Sequence, residues 1–217
     1  MPDLLRNALS FFENFDFLSL LFRIISIVLA LTIHEMSHAY TAYRLGDSTA
    51  KYGGRISLNP LRHIDIMGFL ALIFIGFGWA KPVMMNPYNF RNYRDGVALT
   101  ALAGPFSNFL MAIATAFLLK IPMPELLRIF LLQFMMINIV LAAFNILPIP
   151  PLDGYKVFTR VLPNELYYRA EYLERRYGMW ILLGFLLTGI IYSLFLPVIL
   201  TLTALVNYLT FSNFTIF

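Results

Sequence analysis

The chain has 217 residues, 59% of them hydrophobic and 13% charged, with a mean hydropathy of +0.73 and a formal net charge of +4. Soluble domains carry about 25% charged residues, so this composition describes a multi-pass integral membrane protein and leaves no polar segment long enough for a soluble domain. Absence of cysteine excludes disulfides and thiolate ligands, and basic residues spread over several loops form no nucleic-acid surface.

Residues 1–16 hold Asp3, Arg6, Glu13 and Asp16. That is not the basic start of a cleaved signal peptide, so the segment is expected to remain. Leu18 to about Tyr43 has the length of a first membrane span, and Leu45-Gly46-Asp47-Ser48 ends it. Over residues 49–62 the glycines, followed by the alternation Arg55-Ile56-Ser57-Leu58, predict a short hairpin or strand. Ile66–Phe77 is apolar but too short to cross, since about 20 residues are needed. It leads into an extended-looking stretch around Gly76 to Val83. Residues 49–90 are therefore expected to be partly membrane-embedded, with strands and a short re-entrant helix over 66–78. Backbone of that kind must line a cavity or lie buried in protein.

Val97–Leu119 predicts the second full span and Leu126–Leu147 the third, which Pro148, Pro150 and Pro151 break. Residues 163–177 mix Glu165, Arg169, Glu171 and Arg175 with Leu166, Tyr167 and Leu173, as an interfacial amphipathic helix would. Gly178–Asn207 is apolar and longer than one span needs, with Pro197 placed to kink or divide it. Trp79, Trp180 and the tyrosines read as interface anchors. The expected fold is a polytopic α-helical membrane protein of about four to six helices with a short β segment. It forms a single domain over 1–217, with a core at about 18–154 and C-terminal helices at about 163–208.

Basic residues crowd after the first span (Arg44, Lys51, Arg55, Arg62, Lys81, Arg91, Arg94) and after the third (Lys156, Arg160, Arg169, Arg175, Arg176). The positive-inside rule then places 44–96 and 148–177 in the cytoplasm and the N-terminus outside.

The chemistry centres on His34-Glu35-Met36-Ser37-His38, inside the first apolar run. Ionisable groups within a span are costly and point to a function. Residues four apart share a helix face, so His34 and His38 can offer two imidazoles to one metal. Glu35 can then take a proton from a water whose pKa that metal lowers. A catalytic zinc usually has three protein ligands and an open position. Asp153, just past the third span and on the face where His34 and His38 emerge, is the best candidate for the third. Asp47 and Asp65 are weaker, in surroundings that suit a solvated charge. His63, the remaining histidine, is an alternative ligand but lacks a helical partner four residues away.

The chain resembles the site-2 protease family of intramembrane zinc metalloproteases, in its small prokaryotic branch without a PDZ domain. The resemblance rests on His34-Glu35-x-x-His38-Ala39, on Gly46-Asp47-Ser48-Thr49-Ala50 and on Leu58-Asn59-Pro60-Leu61-x-His63-Ile64-Asp65. It continues through Gly76-Phe77-Gly78-Trp79-Ala80-Lys81-Pro82-Val83, Ala103-Gly104-Pro105-x-x-Asn108 and Phe144-Asn145-x-Leu147-Pro148-x-Pro150-Pro151-Leu152-Asp153-Gly154. These motifs cover residues 34–154 in order. Ile66 departs from the pattern, since close relatives often carry proline there.

The resemblance implies membrane-embedded strands at about 51–58 and 76–85, and one zinc ion per chain on His34, His38 and Asp153. It implies Glu35 as general base and Asn145 as a residue contacting substrate or oxyanion. Asn108 stands between a substrate contact and a helix-packing contact. The implied activity is endopeptidase cleavage in or near the transmembrane segments of membrane-protein substrates, in a prokaryotic cell membrane, with the active site toward the cytoplasm. The rival readings are an inactive zinc-binding relative that holds membrane helices, and a metal transporter. Transporters often show repeated halves, and no repeat is evident here. The lipid bilayer and a transmembrane substrate are the expected partners, and the sequence sets no oligomeric state.

Overall fold

A computed structural model describes residues 17–68, 71 and 80–214. Among the described residues the α-helices are labelled in chain order α1 (Phe17–Arg44), α2 (Thr49–Tyr52), α3 (Tyr93–Leu118), α4 (Glu125–Asn145), α5 (Asp153–Thr159), α6 (Asn164–Leu187) and α7 (Ile190–Thr210). Of these, α1, α3, α4 and α7 are long and apolar enough to cross a membrane, and the protein is an integral membrane protein of mainly helical fold.

Helices α1, α3 and α4 pack against one another, and α7 packs on α3 and α4. Their contact surfaces are rich in small residues: Ala30, Ala39, Ala42, Ala98, Ala101, Ala112, Ala116, Ala142 and Ala143 are all buried. In lipid no hydrophobic effect drives helices together, so close backbone approach and dispersion must. Alanine faces allow that approach. Met135, Ile139, Ile199 and Val206 fill the gaps between α3, α4 and α7. The outer face of α1 exposes Leu18, Leu21, Ile25 and Leu29. In water this would be an aggregation-prone stripe; in a bilayer it is the lipid contact.

The expected strand over 51–58 does not form. Residues 49–52 make the single turn α2, Gly54 turns the chain with φ +66°, and Pro60–Arg62 form a 3-10 turn. The cause is Arg55. Its guanidinium is buried and donates to the carbonyls of Arg62 and Lys81. The segment coils around this cation to satisfy it, overriding the alternating pattern. Among the described residues the only β pairing is one antiparallel bridge between Ile64 and Ala80, with Lys81 N–H donating to the His63 carbonyl at 2.8 Å. Most of the expected re-entrant segment at 66–78, the first part of the strand at 76–85, Trp79 and the N-terminal residues 1–16 lie outside the described residues.

The C-terminal third also differs from expectation. The amphipathic segment and the first part of the apolar stretch form one helix, α6. The break falls at Gly189, with φ +71°, rather than at Pro197. Left-handed backbone favours glycine and ends a helix. Pro197 stays inside α7, where Thr201 Oγ1 donates to its carbonyl at 2.7 Å.

Candidate metal centre

At about 1.5 Å per residue, His34 and His38 sit about 15 and 9 Å from the C-terminal end of α1, nearer the end that leads into 45–90. Their rings are roughly perpendicular, at 88°, with centroids 4.6 Å apart and Nε2 atoms 3.0 Å apart. Both Nε2 atoms lie 3.2 Å from Asp153 Oδ2. One ligand atom from each of the three residues therefore falls within 4.8 Å of the others, a spacing that could hold a metal ion.

Asp153 reaches this point through tight local folding. Ile149 N–H donates to Leu147 O and Leu152 N–H to Ile149 O, each at 2.8 Å, so the chain doubles back after α4. Helix α5 then starts at Asp153 and packs on α3. A β-carbon on Gly154 would stand 2.0 Å from the Ile146 carbonyl oxygen, so only glycine lets α5 begin this close to the end of α4. Burial alone would push the Asp153 carboxyl up, but the imidazoles of His38 and His34 outweigh that and hold it far below the usual carboxylate range.

The far nitrogens of both rings are engaged. His38 Nδ1 lies 2.7 Å from the Thr100 carbonyl, and His34 Nδ1 lies 2.6 Å from Asn108 Oδ1. Such outer partners set ring orientation and keep the inner nitrogens available. Gly104 of α3 lies against the rings: a β-carbon there would be 2.5 Å from His38 Cε1 and Nε2 and 2.6 Å from His34 Cε1. The donor set and the space kept by Gly104 suit a small ion that accepts nitrogen and oxygen ligands, as zinc does.

Glu35 follows His34 on α1 and is half-buried. Asn145 Nδ2 donates to Leu141 O, one turn back, at 3.0 Å. Asn108 is fully buried, and its side chain is spent on His34, Ala30 and Asn138. The other candidates stand apart from the cluster. Asp47 binds the 86–89 turn, Asp65 Oδ1 accepts from Gly68 N–H at 2.8 Å, and His63 Nε2 lies 2.8 Å from the Ser57 carbonyl. Burial holds the His63 imidazole below its ordinary value against the pull of that carbonyl. Sequence reasoning assigned no role to Thr100, Gly104 or Asn138. The signals for two of them are Gly104 within Ala103-Gly104-Pro105-x-x-Asn108 and, for Asn138, an amide inside an apolar span.

A sequence profile described as Peptidase family M50 matches residues 123–188, a stretch that holds Asn145 and Asp153. The protein named Putative zinc metalloprotease YwhC, from Bacillus subtilis (strain 168), is 41% identical over 150 residues, covering 64% of this chain and 68% of its own length. Putative zinc metalloprotease MJ0611, from Methanocaldococcus jannaschii, is 30% identical over 147 residues, covering 67% and 73%. Putative zinc metalloprotease Rip2, from Mycolicibacterium smegmatis, is 28% identical over 171 residues, covering 74% of this chain and 64% of that protein. No solved structure matches the chain. These names favour neither the transporter nor the inactive relative.

Proposed function

The chain belongs to peptidase family M50, and from that membership and the convergence of His34, His38 and Asp153 we propose that it cleaves peptide bonds within the membrane, using one zinc ion per chain. It is a hydrolase of the metalloprotease kind. The observation that carries the reading is the placement of both imidazole Nε2 atoms 3.2 Å from one carboxylate oxygen, inside an apolar helix bundle.

His34, His38 and Asp153 would hold the zinc. Bound there, it supplies a lowered pKa for an attacking water and polarisation of the scissile carbonyl. Glu35 takes the water's proton and later returns it to the leaving amine. Thr100 O and Asn108 keep the two rings from turning. Asn145 is suited to donate to the developing oxyanion if its amide leaves Leu141 O. The substrate is a transmembrane segment of another protein. A helix engages its own carbonyls, so the segment must unwind locally before attack. Basic loops at 44–96 and 148–177 orient the catalytic face toward the cytoplasm of a prokaryotic cell membrane.

The test uses full-length protein purified in detergent. Zinc per chain is measured, and cleavage of a single-span substrate is followed with and without a chelator. One zinc per chain and chelator-sensitive cleavage support the reading. Cleavage by metal-free protein overturns it.

A further inference from the structure

His34 stands at one end of a chain of buried amides that crosses three helices. Its Nδ1 lies 2.6 Å from Asn108 Oδ1 on α3. Asn108 Nδ2 donates to Asn138 Oδ1 on α4 at 2.9 Å and to Ala30 O on α1 at 3.2 Å. Asn138 Nδ2 donates to Phe134 O, one turn back in its own helix, at 2.8 Å. Asn108 and Asn138 are both 0% exposed.

The direction of this chain is forced. A backbone carbonyl can only accept a hydrogen bond. Phe134 O therefore requires the NH2 of Asn138 to face it, which turns the Asn138 oxygen toward Asn108. That oxygen requires the NH2 of Asn108, as does Ala30 O. The Asn108 oxygen must then face His34, and an oxygen there can only accept, so His34 Nδ1 carries the proton. Its Nε2 keeps a lone pair directed at Asp153 and His38. Reversing any amide would set two oxygens or two NH2 groups against each other, where no water can repair the fault.

We propose that Asn138, acting through Asn108, is a positioning residue that fixes the tautomer of His34 and so prepares its Nε2 as a metal ligand. This rests on the metal reading above. Asn138 touches neither metal nor substrate. Its contribution, shared with the longer bond to Ala30 O, is to hold Asn108 in one of two amide orientations that are nearly equal in shape.

The test compares zinc affinity, by competition titration, in the full-length wild type, Asn138→Leu and Asn138→Asp. Leucine removes the oxygen that holds Asn108. Aspartate in its protonated form still offers one to Asn108 while its hydroxyl donates to Phe134 O. Zinc affinity is expected to fall about 10-fold or more in Asn138→Leu, the usual scale for an outer partner, and to stay within a few fold of wild type in Asn138→Asp. Nitrogen-15 spectra of the zinc-loaded wild type, which has 3 histidines, are expected to show His34 protonated at Nδ1 and metal-bound at Nε2. Equal zinc affinity in Asn138→Leu and wild type overturns the proposal. So does an equal loss in both variants, which marks a merely structural role. Should Asn138→Leu fail to fold, His34 bound through Nδ1 in the wild type would overturn it as well. Wild type that takes up no zinc overturns the metal reading itself, an outcome distinct from a variant that binds as well as wild type.

Discussion

The backbone of Gly104 lies flush against the imidazole of His38, with room for a hydrogen but not for a methyl group. Gly104 sits inside a membrane helix, where alanine would favour the helix itself by about 1 kcal/mol. Gly104→Ala is nonetheless expected to weaken zinc binding about 10- to 100-fold, because the new carbon displaces both rings from Asp153. Calorimetric zinc titration of the purified variant checks this, and unchanged affinity would show that the rings can shift without cost.

Glu35→Gln keeps the shape of the side chain and removes the base. Cleavage is expected to fall about 10²- to 10⁴-fold while zinc content stays at one per chain. Parallel metal analysis and turnover of a single-span substrate separate these effects. A variant that cleaves at the wild-type rate would assign the proton transfer elsewhere.

Metal removal should also be visible in stability. A ligand bound only to the folded state stabilises it by about 2.7 kcal/mol at 100 times its dissociation constant. Chelation is therefore expected to lower the melting temperature in detergent and abolish cleavage, and added zinc should restore both. Loss of activity with no thermal shift would indicate that the chelator acts on the substrate.

Asp47 gives a pH signature away from the metal. It is fully buried and accepts hydrogen bonds from Thr49 N–H, Thr49 Oγ1, Asn86 N–H and Asn89 Nδ2. Burial would raise its carboxyl, but the Thr49, Asn89 and Asn86 donors prevail and hold it below the ordinary value. A carboxyl lowered on folding contributes stability that is present above its unfolded pKa of about 3.9 and is lost as pH falls toward the folded value. Asp47→Asn is expected to lose about 2 kcal/mol at neutral pH and to flatten the melting profile below about pH 4. Thermal melts from pH 3 to 7 read both effects, and an unchanged slope would sink the assignment.

Arg55 binds two carbonyls with two arms of one planar group. Lysine keeps the charge but cannot span both. Arg55→Lys is expected to cost about 1–3 kcal/mol and to speed proteolysis within residues 53–65 several-fold, with zinc content unchanged. Mapping the cleavage sites by mass spectrometry checks this. Wild-type protease resistance would show that the guanidinium does not hold the loop.

The membrane spans were legible in the sequence, since α1, α3 and α4 begin and end within a few residues of their apolar runs. Length and hydropathy decide such helices because lipid leaves the backbone no other partner. The pairing of His34 with His38 was legible too, being a matter of helical period. The 51–58 segment was not. Its alternation of Arg55, Ile56, Ser57 and Leu58 counts side chains along the chain, whereas the outcome depended on carbonyls from Arg62 and Lys81 that a buried guanidinium gathers. The break near the C-terminus was misplaced for a related reason. Proline is the louder signal, yet Gly189 takes the left-handed backbone that separates α6 from α7, and Pro197 stays within α7.

The sequence by itself determined that this chain lives in a membrane and that one helix presents two imidazoles on a single face, because both properties repeat at short range along the backbone. Only the tertiary structure decided that Asp153 meets those rings, that Gly104 leaves them space, and that Asn108 and Asn138 orient one of them. Contacts between residues scores of positions apart depend on how helices pack, and packing is set by the fit of whole surfaces, which no local spacing encodes.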